Sequence, residues 1–256
     1  MDILIIAVLF NFLGSFVSLL GGIFLLWRKN WTKKITPLLI AFAAGTMLAV
    51  SFFDLLPEAF ETIDELEISP SNIFNAVLFG LVVFFVIERF ILWSHHHHSD
   101  NNKEAHPTIP LLIIGDTIHN FLDGVTIAAT FLVSLPLGIV TSLAVGAHEI
   151  PQEIGDFGTM LHLGIGRKKV IIINIISALV SFIGVIIGFY VLSAGSYIIP
   201  ILLGFAAGNF IYIAASDLIP EIHSSYKKEK AVSQTSFFLV GIILVYFAIY
   251  LLEGSR

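Results

Sequence analysis

The chain has 256 residues, of which 57% are hydrophobic and 12% are charged, and its formal net charge is −6. Soluble domains carry about 25% charged residues, so this composition excludes an ordinary soluble globular protein and predicts an all-α polytopic membrane protein. The chain has no cysteine, which excludes thiolate metal ligands. At about 30 residues for each helix and its loop, the length predicts a single domain with about eight membrane spans.

Apolar windows of about 20 residues predict eight transmembrane helices in chain order. Their ranges are 3–26, 36–59, 72–94, 109–133, 137–162, 169–192, 198–221 and 235–252. Basic residues lie in or next to the first, third, fifth and seventh connections between the predicted helices, whereas the second, fourth and sixth connections hold none. By the positive-inside rule the basic connections face the cytoplasm, so both termini are predicted to be extracytoplasmic.

The second and seventh predicted helices contain an internal repeat. Residues 42–58 align with residues 205–221 without a gap, and eight of the 17 positions are identical. Both copies end in an Asp-x-x-Pro-Glu sequence. Shared apolar composition explains the common alanines and glycines but not these two endings. On the predicted topology the two helices run in opposite directions, so the copies are inverted repeats, a pattern common in secondary transporters.

Polar residues concentrate in the fourth and fifth predicted helices. The segments 116–124 and 148–156 combine two histidines and five carboxylates with a sequence that is otherwise apolar. One Asp at the centre of a membrane helix costs roughly 2.5 to 3.5 kcal/mol, so five carboxylates would cost on the order of 12 to 17 kcal/mol. A bound cation is the simplest compensation for this cost.

The spacing of these polar residues predicts a metal site. His119 and Asp123 share one helix face, as do His148 and Gln152. Counting about 1.5 Å per residue places both histidines about 15 Å from a membrane edge, near the middle of the bilayer. Two antiparallel helices would offer two imidazoles, the Asp123 carboxylate and the Gln152 carbonyl. These nitrogen and oxygen ligands suit zinc, ferrous iron and manganese.

The residues next to this site have two alternative interpretations each. Asn120 and Glu149 lie about 100° around their helices from the proposed ligands, where they either hold a second ion or orient the first ligands. Other polar residues are interpreted as an ion pathway or, alternatively, as structural caps and interfacial groups: Asp54, Glu58, Asp116, Asp156, His162, Asp217 and Glu221. The histidine-rich segment 95–107 either binds or senses metal in the cytoplasm or is a linker or an inserted tag.

These motifs resemble the ZIP (Zrt/Irt-like) family of divalent metal transporters, and the resemblance covers the whole chain. The sequence His-Asn-Phe-x-Asp-Gly at 119–124 is similar to the family's fourth-helix motif. The sequence at 148–157 is similar to the fifth-helix motif of its histidine-rich subgroup. The resemblance implies eight helices in a 3+2+3 arrangement, with inverted repeats at about 1–94 and 169–253 around central helices at about 109–162.

The resemblance also implies a set of binding residues. His119, Asp123, His148 and Gln152 match the primary site, and two further residues match a neighbouring second site: Asn120 and Glu149. Position 152 is usually His in the subgroup, so a different affinity or metal preference is expected. The sixth helix lacks the carboxylate that completes a two-metal centre in some relatives.

The function expected from the sequence is transport of a divalent cation into the cytoplasm by alternating access, with zinc foremost and iron, manganese or cadmium as further substrates. Two alternatives remain open: an intramembrane metalloenzyme with Glu149 as general base, and a metal sensor that moves no ions. The expected location is the plasma membrane. The expected partners are the cation and the bilayer, with a homodimer left open and no nucleic acid.

Overall fold

The computed structural model describes residues 2–27, 29–66, 68–96, 108–162, 165–193, 195, 197–224 and 228–253. These residues are almost entirely helical, and none of them lies in a strand. The α-helices are α1 (Ile3–Trp27), α2 (Lys29–Val50), α3 (Leu56–Glu65), α4 (Ser71–His96), α5 (Thr108–Val133), α6 (Leu135–His162), α7 (Arg167–Ser193), α8 (Ile198–Tyr212), α9 (Ile219–Ser224) and α10 (Lys228–Glu253). Most of the predicted histidine-rich loop lies outside the described residues.

Within the described part of the chain, six helical stretches are long and apolar enough to cross a membrane. They are Ile3–Gly21, Ile35–Ile63, Ser71–Arg89, Arg167–Ser193, Ile198–His223 and Lys230–Leu252. Helices α5 and α6 have 26 and 28 residues, enough to extend about 40 Å, but they carry the polar residues of the central motifs. The predicted all-α, multi-pass membrane protein is confirmed, while the count of eight spans stays a prediction.

Two π-helical segments, Ser51–Leu55 and Ile213–Leu218, interrupt the repeat-related stretches at matching positions. Each segment contains the repeat's aspartate and ends two residues before its proline. A proline has no N–H for the carbonyl four residues earlier, and its ring pushes that carbonyl away. The Asp-x-x-Pro-Glu sequence therefore widens the preceding turn in both copies, and such π turns are frequent at functional sites.

Helix packing follows the same repeat. Helix α2 packs on α10 and α8 packs on α4, while α1 packs on α6 and α7 packs on α5. Gly45 and Gly208 occupy equivalent repeat positions, and each lies against a neighbouring backbone. A methyl group on Gly45 would overlap the carbonyl of Phe238, and one on Gly208 would overlap the carbonyl of Val77. Small residues permit this close approach of membrane helices.

The distribution of side chains fits a lipid environment. Large apolar side chains are exposed along the outer faces of α1, α4, α7 and α10, as at Phe79 and Tyr246. Polar side chains are buried between the helices, as at Asn11, Asp123 and His148. Intramembrane ionisable residues face the interior of a helix bundle because lipid cannot solvate them. This arrangement leaves α5 and α6, with their carboxylates, in the centre of the bundle.

Candidate metal site

Four buried side chains from α5 and α6 converge at one point: His119, Asp123, His148 and Glu149. The His119 Nε2 atom lies 3.0 Å from His148 Nε2 and 3.5 Å from Asp123 Oδ2. His148 Nε2 lies 3.2 Å from the same carboxylate oxygen, and Glu149 Oε1 lies 4.0 Å from His119 Nε2. One ligand atom from each of the four residues lies within 4.8 Å of the others.

The three shorter spacings, 3.0, 3.2 and 3.5 Å, are close to the edges of a metal coordination polyhedron. With zinc–nitrogen and zinc–oxygen bonds of about 2.0 to 2.2 Å, ligand atoms at tetrahedral corners are about 3.3 Å apart. Oδ1 of Asp123 and Oε1 of Glu149 are buried without a hydrogen-bond partner, whereas Asp123 Oδ2 faces the two imidazoles. Buried carboxylate oxygens are costly unless they are paired or bind a metal, so the four groups can accommodate one divalent cation.

The backbone of α6 fixes the histidine that faces Asp123. His148 Nδ1 lies 3.2 Å from the carbonyl oxygen of Ala144, one turn earlier. Donation from Nδ1 to this carbonyl leaves the Nε2 lone pair directed to the cluster, as in other metal-binding histidines. The rings of Phe84 and Phe210 pack edge-on against His119 and His148 and limit the orientations of both imidazoles.

The amides of Asn120 and Gln152 contact a different carboxylate. Asn120 Nδ2 lies 3.1 Å from Asp116 Oδ1, and Gln152 Nε2 lies 3.3 Å from the same oxygen. Asn120 also donates to Ser177 on α7. The predicted fourth ligand is Gln152, and Glu149 is the predicted neighbour of the site. In the structure Glu149 stands in the convergent group, and the Gln152 amide faces Asp116.

The four-residue cluster is open on one side. A cavity of about 290 Å³ reaches from His119 and His148 along α5 and α6 towards the beginning of α5. Its polar lining consists of Glu88, Asp116, His119, His148, Gln152, Asp156, Tyr212 and Asp217. On the opposite side, next to Asp123 and Glu149, a cavity measures only about 10 Å³, room for about one water molecule.

The other predicted pathway residues do not share this cavity. Asp54 is fully buried in its π-helical segment, Glu58 is half-buried and Glu221 is exposed. The side chain of His162 lies outside the described part of the structure. Asp116, Asp156 and Asp217, in contrast, line the same cavity as the two histidines.

Three polar residues of this region were not predicted as site residues: Glu88, Glu153 and Tyr212. Glu153 is 3% exposed and lies four residues after Glu149, a spacing that would have placed the two carboxylates on one face. Glu88 accepts a hydrogen bond from the Tyr212 hydroxyl. Nothing in their local sequence relates Glu88 to Tyr212, because they are 124 residues apart.

The fold and this cluster define a helical, multi-pass membrane protein with a buried histidine and carboxylate site. The "ZIP Zinc transporter" family model matches residues 1–110 and 94–248. The chain therefore belongs to the ZIP family, which confirms the resemblance found in its motifs.

Individual relatives match a part of the chain. The mouse "Zinc transporter ZIP10" is 42% identical over 112 residues, covering 44% of this chain and 13% of the mouse protein. The Drosophila melanogaster "Zinc transporter foi" is 40% identical over 117 residues, 46% of this chain and 16% of the fly protein. The Caenorhabditis elegans "Zinc transporter zipt-7.2" is 36% identical over 152 residues, 56% of this chain and 32% of the worm protein. The chain thus matches a third or less of each relative's length.

Proposed function

We propose that this protein transports divalent metal cations, zinc foremost, across a membrane. The observation that carries the proposal is the convergence of two imidazoles and two carboxylates at coordination spacing, inside a bundle of apolar helices. The family and the names of the relatives support zinc. Iron, manganese and cadmium remain candidate substrates, since nitrogen and oxygen ligands bind all of these ions and affinity alone does not separate them.

The cation is proposed to bind between α5 and α6 near the middle of the bilayer. Its ligands are proposed to come from His119, Asn120, Asp123, His148, Glu149 and Gln152, of which the two histidines, Asp123 and Glu149 converge. The cation is transported rather than retained as a cofactor. Asn120 and Gln152 hold the neighbouring Asp116 by its Oδ1 atom. The ligands must be deprotonated to bind, so protons compete with the metal at this site.

We propose that the cavity is the release route. It connects the two histidines with Asp116, Asp156 and Asp217, all on the side that the positive-inside rule assigns to the cytoplasm. The space on the other side admits about one water molecule. This asymmetry corresponds to a state that is open to the cytoplasm and closed to the outside. Asp54 and Glu58 are proposed to line the entrance in the opposite state, and Glu221 and His162 the inner mouth.

The proposed architecture is eight spans in a 3+2+3 inverted-repeat arrangement with both termini extracytoplasmic. In this arrangement the repeat relates α2 to α8 and α4 to α10. The packing of α2 on α10 is then equivalent to the packing of α8 on α4, and both are observed. We further propose residence in the plasma membrane, with the bilayer and a divalent cation as partners and a homodimer as a possible assembly. Membership in the histidine-rich subgroup also stays a proposal.

A metalloenzyme and a metal sensor fit the family less well than a transporter does. An enzyme would need Glu149 as a general base beside a metal-bound water, whereas here the Glu149 carboxylate stands among the ligand atoms. A sensor would bind the cation without moving it. Vesicle transport therefore separates the proposed function from both alternatives.

The test is uptake of zinc, cadmium, ferrous iron and manganese into proteoliposomes that contain the purified full chain. The proposal expects saturable uptake of at least zinc, and its loss in a His148→Ala variant. Thr141→Val on the same helix is the matched control, because the Thr141 hydroxyl is buried without a partner and the change preserves shape. Tight zinc binding without uptake would overturn the transporter and favour a sensor.

A further inference from the structure

We propose that one water molecule binds in the narrow cavity beside Asp123 and Glu149, and that Asn11 on α1 holds it there. The water would donate hydrogen bonds to the two carboxylates and so position them for the cation. Asn11 is then a positioning residue, because it acts on the cation site through the water. This inference deepens the proposed function and rests on it only for the effect on transport.

The cavity lies where four helices meet, next to the histidine cluster. It measures about 10 Å³, which is space for about one water molecule. Helices α1, α5, α6 and α7 all contribute to its wall. Its polar lining consists of Asn11, Ser15, Asn120, Asp123, Ser142, Glu149 and Ser181. A small cavity with such a lining suits a water molecule, because a buried water makes about three hydrogen bonds to polar groups.

Two close contacts between helices keep this cavity small. Helix α1 contacts α6 at Gly14 and Gly146, where a methyl group on Gly146 would lie 3.3 Å from the Gly14 Cα atom. Helix α7 contacts α5 at Gly124, where a methyl group would overlap the carbonyl oxygen of Ser181. Small residues allow membrane helices to approach this closely. The four helices are therefore packed tightly around the cavity.

Two carboxylate oxygens of residues at this cavity need a hydrogen-bond donor. Asp123 directs Oδ2 to the two imidazoles, whereas its Oδ1 atom is buried without a partner, as is Glu149 Oε1. The two residues are 1% and 5% exposed, and an unpaired polar atom at such depth is costly. An ionised carboxylate can accept about four hydrogen bonds, so a cation in the histidine cluster leaves acceptor positions that still need a donor.

Three of the polar side chains at the cavity donate their hydrogens elsewhere. A serine hydroxyl carries one hydrogen, and Ser142 Oγ and Ser181 Oγ each donate at 2.7 Å to a backbone carbonyl of their own helix. The amide nitrogen of Asn120 donates to Asp116. These three groups therefore do not satisfy the two carboxylate oxygens.

The amide of Asn11 has a hydrogen left for the water. Its Nδ2 atom donates to Ser181 Oγ at 2.9 Å, and an amide nitrogen carries two hydrogens. Asn11 is 3% exposed, so its second hydrogen also needs a buried acceptor. A water molecule can accept from Asn11 while it donates to Asp123 and to Glu149. The water would thus make three hydrogen bonds, the usual number for a buried water.

The water would connect α1 to the cation site. None of the four converging groups comes from α1, yet Asn11 would hold two of them in place through one hydrogen-bonded molecule. Carboxylates that are fixed before the cation arrives lose less freedom on binding, which increases affinity. Partners of this kind typically change metal affinity by about 10- to 100-fold.

The direct test is a crystal structure of the purified full chain with zinc bound, at a resolution that shows water molecules and with anomalous data at the zinc edge. We expect density within about 3 Å of Asp123 Oδ1, Glu149 Oε1 and Asn11 Nδ2, without an anomalous signal. Density with a zinc signal would instead support the second cation predicted at Asn120 and Glu149. That result, or a cavity without density, would overturn the water site.

Asn11→Leu tests the positioning role, because it removes the amide and nearly preserves the size of the side chain. Its zinc affinity, measured by equilibrium dialysis in detergent, should fall about tenfold. Asn174→Leu is the matched control, since Asn174 is also buried and donates only to the Val170 carbonyl of its own helix. The control should leave the zinc affinity unchanged.

The remaining outcomes separate this inference from a structural role and from the proposed function. A lower melting temperature of Asn11→Leu with unchanged zinc affinity would make Asn11 a structural link between α1 and α7 and overturn its positioning role. If Asn11→Leu does not fold, the wild-type density still decides the water site. A bridging water in a protein that binds zinc but takes up none into vesicles would overturn transport while the water site stands.

Discussion

Replacing His119 by Ala tests the site most directly, because its Nε2 atom contacts each of the three other groups. It lies 3.0 Å from His148 Nε2, 3.5 Å from Asp123 Oδ2 and 4.0 Å from Glu149 Oε1. The change removes one of four ligands and leaves two carboxylates with one imidazole. Four-ligand zinc sites bind with about 10 to 16 kcal/mol, so one ligand contributes roughly 2.5 to 4 kcal/mol.

This loss corresponds to a roughly 100- to 1,000-fold weaker zinc affinity at the histidine cluster. The assay is zinc binding by equilibrium dialysis, followed by zinc uptake in proteoliposomes at equal protein density. The protein should remain inserted, since an apolar alanine replaces a polar group inside the bundle. Thr141→Val serves again as the control with unchanged affinity and uptake. If His119→Ala binds zinc within threefold of the wild type and transports it at the normal rate, the site assignment is wrong.

Three further predictions follow from the same geometry. Gln152→His should tighten zinc about tenfold and slow its release, measured as a lower dissociation constant with reduced uptake, because it adds an imidazole one helical turn from His148; unchanged values would contradict a bound ion within reach of position 152. Gly124→Ala should destabilise the protein by about 1 to 3 kcal/mol, read from the melting temperature, because the new methyl would overlap the Ser181 carbonyl. The control Gly166→Ala, with nothing within 4 Å, should lower the melting temperature much less, because it loses only the preference for Gly at the start of α7. Finally, zinc at 100 times its dissociation constant should stabilise the chelator-treated protein by about 2.7 kcal/mol, and an unshifted melting temperature would contradict binding to the folded state.

The one-dimensional pattern of the chain was enough to predict its class. Long apolar segments with few charges are typical of helices in a bilayer, because a helix satisfies the hydrogen bonds of its backbone groups within itself. The two copies of the repeat, at 42–58 and 205–221, also share their local structure, since both form a π-helical turn before the proline. The six apolar stretches found in the structure correspond to predicted helices one, two, three, six, seven and eight.

The sequence could name the polar residues of α5 and α6 but not their partners. Helical spacing places His119 and Asp123 on one face, yet it does not decide which side chain of the facing helix reaches them. The rotation and axial offset of α5 against α6 decide this. They bring Glu149 into the cluster and place the Gln152 amide against Asp116.

What the sequence determined by itself was therefore the helical membrane class, the family motifs and the concentration of histidines and carboxylates in the fourth and fifth predicted helices. These depend on composition and on spacing along one helix. The tertiary structure decided which carboxylates share a site, which side of the cluster opens into a cavity, and that Tyr212 contacts Glu88 from a distant part of the chain. Such relations depend on how separate helices pack, because contact between two helices is fixed by their relative rotation and offset rather than by either sequence alone.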